Sequence, residues 1–281
     1  MEIYTQSDLL TAFLTKEHLK GRKLGFVPTM GALHEGHISL VAKAKSENDF
    51  VVASIFVNPT QFNNPDDLKN YPRTPEADLE KLQMAGTDLV FQPEINQIYG
   101  EGMQNKEQVD LGNLDKVLEA EHRPGHFKGV VQVVSRLFDI VHPDRAYFGE
   151  KDYQQLAVIR KMTSDLKYKS EIIGCETKRE KNGLAMSSRN LLLTADERES
   201  ARVIYQALQF IKANWKLNGA KAILAEAKEM INSLVPLKVE YIAIADSKML
   251  LPIESFSPNL EARVFAAVFC GRVRLIDNMA I

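Results

Sequence analysis

Short, continuous runs of apolar residues alternate with amphipathic stretches along the first two thirds of the chain. A continuous apolar run is typical of a parallel strand buried on both faces, whereas apolar residues at helical spacing indicate an amphipathic helix. The strand-like runs are 23–27, 50–57, 88–91, 145–148 and 170–174. The helical stretches that follow them are 38–46, 78–85, 129–142 and 152–166. This alternation predicts right-handed βαβ units and therefore an α/β fold with a doubly wound parallel sheet.

The last third of the chain has a different order of elements. Two helical stretches, 195–217 and 220–234, precede three strand-like runs at 239–245, 263–269 and 273–276. Helices followed by strands indicate a separate, smaller α+β domain. A polar segment at 177–183 is the natural boundary, so we predict one domain over residues 1–177 and a C-terminal domain over residues 178–281.

Composition and charge narrow the class of protein. With 45% hydrophobic and 26% charged residues, the 281-residue chain has the composition of a folded globular protein. A formal net charge of -2 gives no electrostatic reason to expect a nucleic acid or an anionic membrane as partner. Two cysteines argue against a disulfide framework and fit a reducing compartment. The sequence has neither a signal-peptide pattern nor an apolar run of ~20 residues, so we expect a cytoplasmic protein without a membrane partner.

The segment PTMGALHEGH, residues 28–37, is the strongest chemical signal. It follows a predicted strand and opens a predicted helix, where free backbone N–H groups and the helix dipole favour an anion. His34 and His37 are three residues apart, so both imidazoles could donate hydrogen bonds to phosphate oxygens. One alternative is a zinc site, but the zinc-protease motif needs histidines four residues apart, and no third ligand is evident. The other alternative is a pair of ordinary surface histidines.

Four further segments end a predicted strand or open a predicted helix. They are NPTQF at 58–62, EHRPGHFKG at 121–129, FGEKDYQQ at 148–155 and MSSRN at 186–190. Taken alone, each is as consistent with a polar loop or a capped helix as with a binding site. Together they place lysine, arginine, histidine and glutamine side chains at the carboxyl ends of strands, where open α/β sheets bind ligands.

These segments, with YPRT at 71–74, occur in the order found in pantothenate synthetases, and the chain resembles that family from about residue 25 to about residue 193. The resemblance implies a Rossmann-like domain of the nucleotidyltransferase superfamily with a smaller C-terminal domain, and a homodimer. It implies that ATP and Mg²⁺ are used to join pantoate to β-alanine through pantoyl adenylate, with release of AMP and pyrophosphate.

The resemblance also assigns residues. His37, His34, Lys151 and Arg189 would be catalytic, through contacts with the leaving pyrophosphate and the other phosphates. The ATP-binding residues would be Met30, Gly31, Ala32, Leu33, His34, Glu35, Gly36, His37, Gly149, Glu150, Lys151, Asp152, Lys178, Met186, Ser187, Ser188 and Arg189. The substrate-binding residues would be Gln61, Gln155, Arg123 and His126.

Two other functions compete with this one. A nucleotidylyltransferase on the same fold would move a nucleotide onto a phosphate, but the neutral amides of Gln61 and Gln155 suit a hydroxy acid better. A non-catalytic nucleotide- or zinc-binding protein would show no turnover.

No spacing identifies a base for β-alanine. Asp78 is the one acidic residue considered for magnesium, and the magnesium ligands are unknown. Polar segments at 63–69 and 178–185 are candidate lids.

Overall fold

The computed structural model describes residues 1–100 and 109–281. Their contacts divide the chain into two compact units. The first unit comprises Met1–Leu111, Arg123–Glu150 and Gln155–Glu176, and the second comprises Gly112–His122, Lys151–Gln154 and Thr177–Ile281. The final boundary between the two units, after Glu176, lies one residue before the domain boundary predicted after residue 177. That residues 178–281 form a domain with a role of its own stays a prediction.

A parallel sheet forms the centre of the first unit. In the described residues its strands are β1 (Glu2–Tyr4), β2 (Leu24–Thr29), β3 (Phe50–Ile55), β4 (Leu89–Phe91), β5 (Arg145–Gly149) and β6 (Glu171–Cys175), in the order β1-β4-β3-β2-β5-β6. The strand order reverses between β2 and β5, which pair through Gly25 with Arg145 and Phe26 with Ala146. Such a switch point is where open α/β sheets bind ligands.

Helices follow most strands of the first unit. They are α1 (Ser7–Leu19), α2 (Glu35–Glu47), α3 (Pro65–Asn70), α4 (Pro75–Met84), α5 (Ile95–Tyr99), α7 (His126–Val141) and α8 (Tyr153–Asp165). The first residues of α8 and the whole of α6 (Glu119–His122) belong to the second unit. Leu40, Val41 and Ala44 of α2 and Leu82 of α4 pack on one core with β2 and β3. Burial of this apolar face holds both helices against the sheet.

The second unit ends in an antiparallel sheet. Its helices α9 (Ala195–Ser200), α10 (Arg202–Asn218) and α11 (Ala220–Asn232) precede β7 (Leu237–Asp246), β8 (Ala262–Cys270) and β9 (Val273–Ala280), which pair in the order β7-β8-β9. Trp215 of α10 is almost fully buried in the core between helices and sheet. No helix within residues 1–100 and 109–281 is long and apolar enough to cross a bilayer.

The α/β fold with a smaller α+β unit is confirmed, but several elements differ from those predicted. The helix predicted over 195–217 is two helices, α9 and α10, separated at Ala201. The helix predicted from residue 38 begins at Glu35, because His34 caps it. Strand β1 and helix α1 were not predicted; β1 has only three residues, too few to show a period.

Candidate active site

The loop after β2 adopts an unusual backbone conformation. Gly31 and Ala32 have φ angles of 78° and 48°, in the left-handed region. The Thr29 hydroxyl begins the turn, since it donates to the Ser54 carbonyl at 2.6 Å and accepts from the Gly31 N–H at 3.2 Å. Because only glycine adopts such angles readily, Gly31 is suited to this position and Ala32 is strained. The turn carries the chain from the sheet edge into α2.

His34 and His37 begin helix α2 together. The His34 Nδ1 accepts from the Gly36 N–H at 3.1 Å, and the His37 Nδ1 accepts from the His34 N–H at 3.3 Å. The two rings are 4.1 Å apart between centroids. A neutral imidazole whose Nδ1 accepts carries its proton on Nε2, so this hydrogen-bond pattern makes both Nε2 atoms donors. The pair is therefore prepared to donate to an anion at the helix start.

Asp78, on α4, lies against the same loop. It is buried, and its carboxylate accepts from the Ala32 N–H at 2.8 Å, the Leu33 N–H at 2.7 Å and the Thr74 hydroxyl at 3.0 Å. Its oxygens are thus directed to protein donors rather than to a cation. Over the described ranges, no cluster of three or more His, Cys, Asp or Glu side chains could hold a metal ion. The side chains here do not fit a resident magnesium site.

Gln61 sits in a short turn, Pro59–Gln61, held by buried hydrogen bonds. The Asn58 amide donates to Gln61 Oε1 at 3.0 Å and to the Gly129 carbonyl at 3.2 Å, and it accepts from the Tyr99 hydroxyl at 2.6 Å. Burial raises the pKa of Tyr99, so its hydroxyl remains a donor. Gln61 Nε2 in turn donates to the Met30 sulfur at 3.3 Å. The structure thus joins two predicted site segments, those of Met30 and Gln61.

Helix α7 packs its first turn directly on this Gln61 turn. A Cβ added to Gly129 would lie 2.4 Å from the Thr60 carbonyl oxygen and 2.8 Å from the Gln61 Cα. The buried His126 bonds through Nδ1 to the Gln61 carbonyl oxygen at 2.7 Å. Arg123 lies 3.2 Å from the other ring nitrogen of His126. Arg123, His126 and Gln61 therefore form one connected group in the first unit.

A cavity of about 670 Å³ adjoins this region of the first unit. Its walls come from the loop after β2, including Met30 and Gly31, the carboxyl ends of β3 and β4, and the start of α4 with Asp78. Neither Gln61 nor Gln155 lines it. Gln61 nevertheless meets the cavity wall through its hydrogen bond to Met30.

Two adjacent glutamines near the start of α8 have different environments. Gln154 is buried, donates to the carbonyls of Leu114 and Val117, and accepts from the Glu119 N–H, all within the second unit. Gln155 belongs to the first unit and is half-buried, and its amide makes no hydrogen bond to any residue that the structure describes. Gln154 is therefore structural, whereas no described residue occupies the donors and acceptors of the Gln155 amide, which can serve a ligand.

Lys151 and Asp152 precede α8 and lie in the second unit. The Lys151 ammonium is 3.6 Å from the Asp152 carboxylate, and the Lys151 carbonyl accepts from the Asn278 amide at 2.7 Å. The Lys151 side chain is only 17% exposed. Gly149 and Glu150 of the same predicted segment belong to the first unit, at the end of β5. The fixed backbone and limited exposure hold Lys151 in place for a charge contact.

The segment from Lys178 to Met186 is a hairpin rather than an open loop. The Met186 N–H donates to the Lys178 carbonyl at 2.9 Å, and Arg179 pairs with Ala185 across the hairpin. Arg179 also binds both carboxylate oxygens of Asp277, at 2.6 and 3.0 Å, and its guanidinium lies 4.1 Å from the Tyr205 ring centroid. Arg179 ties the hairpin to β9 and α10, so residues 178–185, if they act as the predicted lid, must either move together with those elements or break these contacts.

The MSSRN segment continues from this hairpin as a short 3-10 helix, Ser188–Leu192. The Ser187 hydroxyl caps it by accepting from the Arg189 N–H at 3.3 Å. Buried Asn190 donates to Glu180 at 2.7 Å and to the Ala185 carbonyl at 3.1 Å. The sequence analysis included Asn190 in the MSSRN segment but not its partners, and it missed the Arg179–Asp277 pair, because such partners are determined only by the folded chain.

Comparison with known proteins decides the family. The family model described as pantoate-beta-alanine ligase matches residues 2–280. This chain belongs to that family. The pantothenate synthetase of Cytophaga hutchinsonii is 45% identical over 281 residues, covering 99% of this chain and 98% of that protein. That of Vibrio cholerae is also 45% identical and covers 100% of this chain and 96% of its own length.

Solved structures of the pantoate-beta-alanine ligase family agree with this fold. A pantothenate synthetase from Thermus thermophilus matches with a TM-score of 0.91 and 43% identity over 99% of both chains. A pantoate-beta-alanine ligase from Francisella tularensis, complexed with Beta-gamma ATP and Beta-alanine, matches with a TM-score of 0.84 and 39% identity, covering 100% of this chain and 97% of the other. The chain is therefore a ligase of this family over its whole length.

Proposed function

We propose that this ligase condenses (R)-pantoate with β-alanine in two steps, using ATP and releasing AMP and pyrophosphate. The observation that carries the proposal is the match to the pantoate-beta-alanine ligase family over residues 2–280, which includes each segment that the structure organises around β2 and α7. The relative from Francisella tularensis, complexed with Beta-gamma ATP and Beta-alanine, supports both small molecules as substrates.

In the first step, a pantoate carboxylate oxygen attacks the α-phosphorus of ATP. The bond from that phosphorus to the bridging oxygen of the β-phosphate breaks, and pyrophosphate leaves with the electron pair. No protein nucleophile is required, so catalysis consists of positioning and of stabilising the developing negative charge. The Nε2–H donors of His34 and His37 fit that task, and we assign Lys151 and Arg189 to the phosphates by the family resemblance.

In the second step, the amine of β-alanine attacks the acyl carbon of pantoyl adenylate. The bond between that carbon and the adenylate oxygen breaks, AMP leaves, and the new nitrogen loses a proton to give the amide. Water competes with the amine for the same carbon, so an enclosed site favours the correct product. The segments at 63–69 and 178–185 remain our candidates for enclosing it.

The two glutamines account for the choice of a hydroxy acid. The Gln155 amide has no hydrogen-bond partner among the described residues, and Gln61 is buried with its amide fixed by Asn58 and Met30. Neutral amides can both donate to and accept from pantoate hydroxyls, whereas a phosphate acceptor would call for arginine or lysine. This difference favours pantoate over the phosphate acceptors of a nucleotidylyltransferase.

We further propose that magnesium is a substrate ion that arrives with ATP. Mg²⁺ commonly binds through substrate phosphates and keeps several waters, which suits a site where Asp78 is already bonded to backbone N–H groups. A cytoplasmic location and a homodimer complete the proposal; they rest on the resemblance and, for the location, on the two free cysteines.

Pyrophosphate exchange tests the adenylation step. Purified protein is incubated with ATP, Mg²⁺, pantoate and labelled pyrophosphate, without β-alanine, and label in ATP is measured. We expect pantoate-dependent exchange that falls by about 10²-fold in His37→Ala, because removing one donor to a developing charge costs on the order of 3 kcal/mol. His142→Asn is the matched control, since His142 is exposed and its φ of 48° suits asparagine. Exchange that does not need pantoate would reject the assigned substrate.

A further inference from the structure

The histidine-bearing loop is strained and therefore needs external support. Ala32, two residues before His34, has a φ of 48°. For a residue with a side chain, this left-handed conformation costs roughly 1–2 kcal/mol. Such a conformation persists only where neighbouring groups hold it. Two of the loop's own hydrogen bonds, from the Gly31 N–H to the Thr29 hydroxyl and from the Gly36 N–H to His34 Nδ1, lie at its ends.

The support comes from Asp78 on α4, at the middle of the loop. Its two carboxylate oxygens accept from two successive backbone groups, Oδ2 from the Ala32 N–H at 2.8 Å and Oδ1 from the Leu33 N–H at 2.7 Å. Only 1% of Asp78 is exposed to solvent. Hydrogen bonds between an ionised group and backbone N–H are strong, and a buried charge that lost them would be costly.

Lys81 adds a second contact from the same face of α4, one turn further on. Its ammonium donates to the Leu33 carbonyl at 2.6 Å. Both polar groups of the Leu33 backbone are thus bonded to α4, and the next residue is His34, the cap of α2. Residues at i and i+3 share a helix face, so one short helix can make both contacts.

Gly31 makes the close approach possible. A Cβ added there would lie 3.0 Å from Asp78 Oδ2 and 3.2 Å from the Ile55 side chain. A side chain at position 31 would therefore displace the carboxylate as well as oppose the φ of 78°. The glycine of the loop and the aspartate of α4 fit each other.

We propose that Asp78 and Lys81 are positioning residues for adenylation, which fix the Gly31–Leu33 backbone and thereby aim the imidazoles of His34 and His37. This inference rests on the proposed function, since it needs those histidines to act on the phosphates. It assigns Asp78 to backbone N–H groups instead of to a magnesium ion. The two assignments predict different responses to magnesium.

The test measures pantoate-dependent pyrophosphate exchange in Asp78→Asn. An amide there can accept only one of the two N–H bonds and turns its own N–H₂ toward the other. We expect the exchange rate at saturating substrates to fall by about 10- to 100-fold, as for a misplacement of reacting groups by about 1 Å. The magnesium concentration for half-maximal exchange is expected to stay unchanged. Glu80→Gln, an exposed carboxylate on the same helix, is the matched control and should exchange like the wild type.

A double-mutant cycle separates positioning from mere stability. If Asp78 acts through His37, Asp78→Asn should slow the His37→Ala enzyme far less than it slows the wild type. Equal rate factors in the two backgrounds, or activity of Asp78→Asn restored by raised magnesium, would overturn the inference. If Asp78→Asn does not fold, Lys81→Met, which removes one exposed ammonium, takes its place in the same cycle. Absence of exchange in the wild type would instead overturn the proposed function, and the inference with it.

Discussion

Replacement of Gly129 by alanine tests whether backbone packing places Gln61. Helical propensity alone favours the change, since alanine is more stable than glycine inside a helix by about 1 kcal/mol. The structure opposes it, because the new Cβ would lie 2.4 Å from the Thr60 carbonyl oxygen, 2.7 Å from the Thr60 carbonyl carbon and 2.8 Å from the Gln61 Cα. All three are backbone atoms, which cannot move aside as the end of a side chain can.

The size of the effect follows from these distances. To reach an ordinary contact of about 3.4 Å or more, α7 and the turn must separate by roughly 1 Å, a change that typically costs 1–3 kcal/mol in a packed core. The same shift moves Gln61 relative to Met30, and a 1 Å error in a reacting arrangement costs about 10²-fold in rate. We therefore expect a lower free energy of unfolding and a kcat/KM for pantoate reduced by about 10- to 100-fold.

Urea unfolding and steady-state kinetics on Gly129→Ala check both numbers. Ser135→Ala, on the same helix, is the control, because among the described residues the Ser135 hydroxyl bonds to the Gln132 carbonyl of its own helix. Its stability and kcat/KM should match those of the wild type. A Gly129→Ala enzyme that is more stable and equally active would show that propensity outweighs the contact, and that Gln61 does not depend on α7.

Two further predictions concern the second unit. Arg179→Met leaves the buried Asp277 carboxylate without its bidentate partner, so the free energy of unfolding should fall by about 3 kcal/mol in urea titrations. Adding Asp277→Leu to that variant should recover part of the lost stability. No recovery would contradict the unpaired Asp277 charge as the cause of the loss. Burial, aided by Glu197, raises the pKa of Cys270 from 9.0 to about 11. The protonated Cys270 thiol contributes stability that is complete below pH 9 and is lost as the pH rises through about 11. The free energy of unfolding should therefore fall over that pH range, and it should fall less steeply in Cys270→Ala. Equal slopes in the two proteins would refute this prediction.

Sequence patterns predicted the elements whose pattern is local. The continuous run around Phe50–Ile55 became a central strand because every one of its residues is buried. His34 and His37 lie together at the start of a helix, as their spacing predicted. Gly31 lies in the predicted strand-to-helix turn, and the structure adds that its φ of 78° is in the left-handed region that glycine adopts readily.

Features that depend on distant residues escaped prediction. Asp78 lies 45 and 46 residues from the N–H groups that it binds, and Arg179 lies 98 residues from Asp277. Helix periodicity also continues through Ala201, where the backbone ends one helix and starts another. Such contacts are selected by tertiary packing, which no local period encodes.

The most direct test of the central claim follows an oxygen atom. Pantoate labelled with ¹⁸O in its carboxylate is converted to product with ATP, Mg²⁺ and β-alanine, and AMP is analysed by mass spectrometry. An acyl adenylate requires the carboxylate oxygen that attacks the α-phosphorus to leave with AMP, so we expect one ¹⁸O atom in the AMP phosphate. Unlabelled AMP, or label in inorganic phosphate with ADP as coproduct, would contradict adenylation as the way in which this ligase activates pantoate.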